Sequence, residues 1–218
     1  MNFIFFYFEF AALVFGLIKY KQLERSKYLK LVWLIGLIVI AEAIGMYLRR
    51  ILHVPNVKVY NISTSIEFLV YGKIFSEINN REVYKKYFKG FLLGYPLLWI
   101  INEVFIQGFE TFHTYTMLIG SIAMIIMSCN YFLDSIKSNK RINLIDSPDF
   151  WFSTGVLIFY SSDMFNTYLL ANTHKMVIFE NFSMLKMINT ILNMILYSCF
   201  IKVFYLSAKS NKSKREFY

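Results

Sequence analysis

Six ionisable residues lie inside long apolar runs of this chain: Glu9, Glu42, Glu67, Glu103, Asp163 and Lys186. A charge at the centre of a membrane-spanning helix costs about 2.5–3.5 kcal/mol on insertion scales, so such residues face inward, pair, or line a polar cavity. Carboxylates in that setting can capture a small ligand or ion, or relay a proton. Hydrolysis asks for more, namely an activated nucleophile with a base beside it. Ser161, Ser162 and Asp163 are adjacent in sequence, so Ser161 and Asp163 point different ways on a helix. No histidine lies within an apolar run to act as base. No catalytic residue is therefore assigned, and a membrane-embedded, lipid-modifying enzyme is the weakest functional reading. His53, His113 and His174 fall between the runs, no two of them at i, i+3 or i, i+4. They are expected as ordinary interfacial side chains, and no metal site is assigned. Cys129 and Cys199 have no CxxC or Cys/His spacing around them, which argues against a zinc site or a disulfide framework. GxxxxGK, GxGxxG and HExxH are absent from the sequence, and no cofactor is expected.

Spacing gathers the polar residues into stripes. In VYNISTSIEFLVYGKIF, residues Tyr60, Ser63, Thr64 and Tyr71 fall at −7, −4, −3 and +4 about Glu67, which is one face of a helix. Lys186, Asn189, Thr190 and Tyr197 stand in the same relation to Asn193. A third stripe holds Tyr160, Asp163, Asn166 and Thr167. Taken singly, Ser, Thr and Asn serve as hydrogen-bonding glue between membrane helices. Glue does not require carboxylates, so a ligand- or ion-binding cavity is expected. Its candidate residues are Glu9, Glu42, Tyr60, Asn61, Ser63, Glu67, Tyr71, Glu103, Asp163, Asn166, Lys186, Asn189, Asn193 and Tyr197. Lys186 would supply the counter-charge to Glu67. Lys73, about 240° around the helix from Glu67 at 100° per residue, is expected only to snorkel to the membrane boundary. Trp33, Tyr95 and Trp151 are expected as interfacial anchors.

The elements that must position these residues can be read from length. A span needs about 20 mostly apolar residues, since each rises about 1.5 Å across a core of about 30 Å. Seven runs fit: 3–18, 31–48, 59–77, 89–107, 115–133, 151–171 and 185–206. Glycine and proline are sparse and the runs are too long for membrane strands, which favours helices over a barrel. Pro96 should kink the fourth. With the N-terminus outside, sixteen Lys and Arg residues fall in inner segments and four (Arg49, Arg50, Lys58 and Lys175) in outer ones. The positive-inside rule then gives N-out, C-in. Glu9, Glu42 and Glu103 lie in outer halves and Glu67 and Asp163 near the midplane, so the cavity should open outward. MNFIFFYFEF has no basic n-region or small-residue cleavage site and reads as a retained first helix.

Composition agrees with this reading. Hydrophobic residues make up 57% and charged residues 17%, and mean hydropathy is +0.47. Soluble domains carry about 25% charge. The fold class expected is all-α, a polytopic integral membrane protein with seven transmembrane helices over residues 1–207 and a basic cytoplasmic tail over 208–218. The net charge of +9 does not point to nucleic acid, because the basic residues sit in short loops and not on one face. Those loops suit anionic inner-leaflet lipid. A retinal-type pigment needs a lysine near the middle of the last helix, where residues 194–196 read Met-Ile-Leu.

STSIEFLVYG (63–72) set beside NTILNMILYS (189–198) matches Thr64 to Thr190 and Tyr71 to Tyr197, with Glu67 opposite Asn193. Glu42 with Tyr47-Leu48 echoes Asp163 with Tyr168-Leu169. Two parallel three-helix units joined by the fourth span, a 3+1+3 repeat of a kind known among transporters, would produce both echoes. The pattern AEAIGMYL … VYNISTSIEFLVYGKIF … FWFSTGVLIFYSSDMFNTYL also resembles a group of small seven-span inner-membrane proteins of AT-rich bacterial genomes. That resemblance implies the architecture and a bacterial inner membrane, and no activity. The function expected is a non-enzymatic receptor, sensor or accessory protein. It would bind a small ligand, for which a cation is the charge match, and signal to a cytoplasmic protein partner or within a homo-oligomer. A small-solute or proton-coupled transporter or channel is the alternative.

Overall fold

The computed structural model describes residues 4–24, 26–78, 82–137, 143–172 and 179–216, with side chains placed outside 4, 82, 167–186 and 212–216. Every regular element among them is helical. In order they are α1 (Ile4–Ile18), the single turn α2 (Tyr20–Leu23), α3 (Leu29–Arg50), α4 (Val57–Ile78), α5 (Glu82–Ile101), α6 (Thr114–Lys137), α7 (Pro148–Asn172) and α8 (Phe179–Glu216). A π-turn, Asn102–Ile106, continues α5, and a 3-10 turn, Leu144–Asp146, leads into α7. Local chemistry explains several ends. Pro148 opens α7 at the first helical position, where the N–H has no intrahelical partner to lose. Gly108, at φ +74, takes the left-handed conformation that turns the chain after the π-turn. The Asn56 side-chain amide donates to the Gly45 carbonyl at 3.2 Å and closes the α3–α4 connection.

Four helical stretches are long and apolar enough to cross a membrane: Leu29–Arg50, Val83–Ile106, Thr114–Lys137 and Met187–Asn211. The stretch Phe5–Ile18 of α1 is apolar but shorter. The helices α4 and α7 have the length but carry the polar stripes, Ser63 to Glu67 in one and Tyr160 to Asn166 in the other, which lowers their hydropathy. Large apolar side chains cover the outside of the bundle; Leu93 is 77% exposed and Phe105 79%. Contiguous apolar surface of this kind is what helices facing lipid present.

Neighbour relations define a ring. α1 packs on α3, α3 on α4, α4 on α6, α6 on α7, α7 on α8, and α8 returns to α1. α5 lies outside the ring against α4 and α6. One end of the ring interior is filled by aromatic side chains. Tyr71, Phe75, Phe152 and Phe200 are all 2% exposed or less. The Phe152 ring stacks on Phe200 at 6.0 Å between centroids and meets Tyr71 edge-on at 5.6 Å. Such pairs contribute about 0.5–1.5 kcal/mol beyond the area they bury. Beyond this plug, at the end holding most of the basic residues, ion pairs tie the elements together. Lys27 contacts Asp149 at 2.9 Å and Lys30 contacts Glu77 at 2.6 Å. The Tyr28 hydroxyl donates to Asp149 at 2.6 Å. Burial, then the neighbouring Asp149 carboxylate, push this hydroxyl well above the usual tyrosine range, so it stays a donor.

Two elements differ from their sequence-based outlines. α5 begins near Glu82, not 89, because Glu82–Lys89 is charged but still helix-forming. α8 runs on through the basic tail to Glu216, since no glycine or proline stops it. It is held there by α2, where Asn211 donates to the Gln22 carbonyl at 2.9 Å. Tyr95 is not an interfacial anchor. It is 2% exposed and stacks on Phe91 at 5.1 Å inside the bundle.

Candidate functional site

At the end opposite most of the basic residues, the ring encloses an open cavity of about 1000 Å³. Each polar wall comes from a different helix. α1 supplies Glu9, α3 supplies Glu42, α4 supplies Tyr60, Ser63, Thr64 and Glu67, and α7 supplies Asp163. α8 adds Asn189, Thr190, Asn193 and Tyr197. Nine of the sequence-derived candidates thus share one cavity: Glu9, Glu42, Tyr60, Ser63, Glu67, Asp163, Asn189, Asn193 and Tyr197. Helical spacing put them there, since residues at i, i+3, i+4 and i+7 share a face.

The carboxylates are held in two ways. Glu42 accepts a hydrogen bond from Tyr60 Oη at 2.9 Å, and Glu67 accepts one from Tyr160 Oη at 2.9 Å. Glu9 and Asp163 are 1% and 6% exposed, yet among the described residues Glu9 Oε1 and Asp163 Oδ2 have no hydrogen-bond partner. Ser63 turns its hydroxyl back to the Tyr60 carbonyl at 3.2 Å. Asn193 donates to the Asn189 carbonyl at 2.8 Å. Asn166 lies behind the wall and donates to Asn189 Oδ1 at 3.3 Å, orienting that amide. The rest of the lining is apolar and aromatic, including Phe5, Phe112, Phe159 and Met117. Periodicity carries no sign of these residues, because apolar side chains on an inner face read the same as those facing lipid. Tyr160, of the third stripe, holds Glu67 from α7.

The other candidates lie elsewhere. Tyr71 shares the Glu67 face but sits one turn deeper, in the aromatic plug. The Lys186 side chain falls outside the described residues. Asn61 and Glu103 belong to a second cluster, between α4, the π-turn and the start of α6. There the buried His113 Nε2 contacts Glu103 Oε2 and lies 3.2 Å from the Gly108 carbonyl. Asn61 Nδ2 donates to the Thr111 carbonyl at 3.0 Å, and Asn61 Oδ1 accepts the His113 N–H at 3.3 Å. Gln107 bridges Asn102 at 3.0 Å and Thr114 at 2.8 Å. His113 is therefore not an exposed interfacial side chain; it is 3% exposed and closes this cluster. Its partners come from other elements, so spacing along the chain carried no signal of it. Lys73 pairs with Glu77 at 3.3 Å, away from Glu67.

Fold and site together define a class: a ring of helices, several of them membrane-length, around a one-ended acidic cavity. No family model, curated protein or solved structure matches the chain.

Proposed function

We propose that this chain is a seven-helix integral membrane protein of the bacterial inner membrane, oriented N-out and C-in, that acts as a non-enzymatic receptor or sensor. A small ligand enters the acidic cavity from outside, and the helix ring passes the change to a cytoplasmic partner at the basic end. One observation carries the reading. Glu9, Glu42, Glu67 and Asp163, from four helices, line one cavity, while the other end of the ring is filled by stacked aromatic rings. Buried carboxylates are expensive and persist where a site uses them. The ring order supports the 3+1+3 repeat, because α1–α3–α4 and α6–α7–α8 have the same internal neighbours and α5 stands apart as the joint.

Cysteine accessibility in intact cells tests it, with Cys129 and Cys199 first replaced by serine. A cysteine at Asn193 should react with a membrane-impermeant thiosulfonate added outside, and one at the exposed Ser210 should not. Labelling of the Ser210 cysteine from outside would overturn the orientation. Transport is the alternative, and the closed floor of the cavity weighs against a continuously open pore. Flux of a solute through reconstituted wild-type protein would favour transport over sensing.

A further inference from the structure

We infer that the ligand of the acidic cavity is an organic ammonium compound, a protonated amine with an apolar body, and not a metal ion or an anion. This rests on the cavity being a ligand site, as proposed above. Glu9 and Asp163 line the cavity, and among the described residues their deeply buried oxygens Glu9 Oε1 and Asp163 Oδ2 have no hydrogen-bond partner. A buried polar atom without a partner costs about 1–3 kcal/mol, more if charged, and an ammonium N–H is the donor that removes this cost. With Glu42 and Glu67 the wall carries four carboxylates, and none of the described lining residues is basic. Even with Lys186 counted as a neighbour, carboxylates outnumber cations, so an anion is disfavoured.

Size and lining exclude the simplest cation. About 1000 Å³ is far larger than an ion needs. Calcium takes six to eight oxygens at about 2.3–2.6 Å, and among the described residues no three acidic, histidine or cysteine side chains are placed to hold a metal. The remaining walls fit a carbon skeleton. Phe5 lines the cavity from α1, Phe112 from the connection before α6, and Phe159 and Tyr197 from α7 and α8. Aromatic faces attract ammonium groups within about 6 Å of the ring centre, most strongly where water is excluded. A protonated amine can therefore place its nitrogen among the carboxylates and its carbon body on the rings.

The test is calorimetric binding to the purified full chain in nanodiscs. The probes are phenethylammonium, tetraethylammonium and spermidine, the neutral 2-phenylethanol, the anion phenylacetate, and calcium. At least one ammonium probe should bind, phenylethanol at least tenfold more weakly than phenethylammonium, and phenylacetate and calcium not at all. Glu9→Gln and Asp163→Asn should each weaken the ammonium probe at least tenfold with the thermal transition preserved. Should either variant fail to fold, slowed reaction of the Asn193→Cys thiol with a thiosulfonate in the presence of the probe reports occupancy instead, and no slowing counts against the proposal. Equal or tighter binding of phenylethanol, phenylacetate or calcium overturns the ligand class while leaving a ligand-binding cavity. No binding of any probe overturns the ligand class, and failure of outside labelling at Asn193 then overturns the cavity reading with it.

Discussion

Tyr60 reaches Glu42 because residue 45 is glycine. A Cβ there would stand 2.7 Å from Tyr60 Oη, so even alanine would push the phenol off its acceptor. Deeper in the bundle, Tyr160 is 1% exposed and its hydroxyl meets Glu67. Hydrogen bonds to charged groups contribute about 1.5–3 kcal/mol, and the more buried site should lie at the upper end. Tyr160→Phe is therefore expected to cost about 2–3 kcal/mol. Tyr60→Phe and Gly45→Ala should cost less and resemble each other. Thermal unfolding of the detergent-purified variants measures this, and a wild-type transition for Tyr160→Phe would show that the bond does not hold Glu67. At this scale the sequence was informative about faces. Glu67 with Tyr60, Ser63 and Thr64 form one wall, as their spacing required. Asn61, six residues from Glu67 at 100° each, lies 240° around the helix from it, and it faces the second cluster.

Elements explain where Glu103 went. Lying in the outer half of its span, Glu103 is expected beside the other carboxylates. α5 stands outside the ring, against α4 and α6, so the π-turn Asn102–Ile106 that continues it brings the carboxylate to His113 and not to the cavity. This contact joins the end of α5 to the start of α6 across the Gly108 turn, with Asn61 of α4 bonded to the same loop. Breaking a buried pair by removing one partner costs about 3–5 kcal/mol. His113→Ala should therefore destabilise by about 3 kcal/mol, and adding Glu103→Gln to it should restore part of the loss. A double-mutant cycle from thermal or denaturant unfolding checks this; strictly additive losses would mean the two side chains do not interact. Because the cluster does not line the cavity, probe affinity at saturation of folding should stay unchanged in His113→Ala.

On the scale of the whole molecule, the ring and its plug decide what the cavity can do. Hydropathy announced the membrane-length helices, and loop charge separated the two ends; neither could say that the helices close into a ring, because neighbour order depends on side-chain shape across pairs distant in sequence. Gly155 illustrates this. A Cβ there would lie 2.9 Å from Cys199 Cβ, so the absence of a side chain sets how closely α7 approaches α8. With the ring closed, the aromatic plug becomes the barrier between the acidic cavity and the basic end. Phe200 is fully buried and touches Phe152, Tyr71 and Tyr197. Phe200→Ala removes the ring that contacts all three and should cost about 3–5 kcal/mol, so its fold must first be checked by thermal unfolding in nanodiscs. In folded protein reconstituted into liposomes, wild type should hold a proton gradient and Phe200→Ala should dissipate it several-fold faster, because water can then bridge from the carboxylates past the vacated space. A leak equal to wild type would place the barrier elsewhere. A wild-type protein that already dissipates the gradient would mean that the plug opens in normal operation, and that the cavity is one half of a transport path.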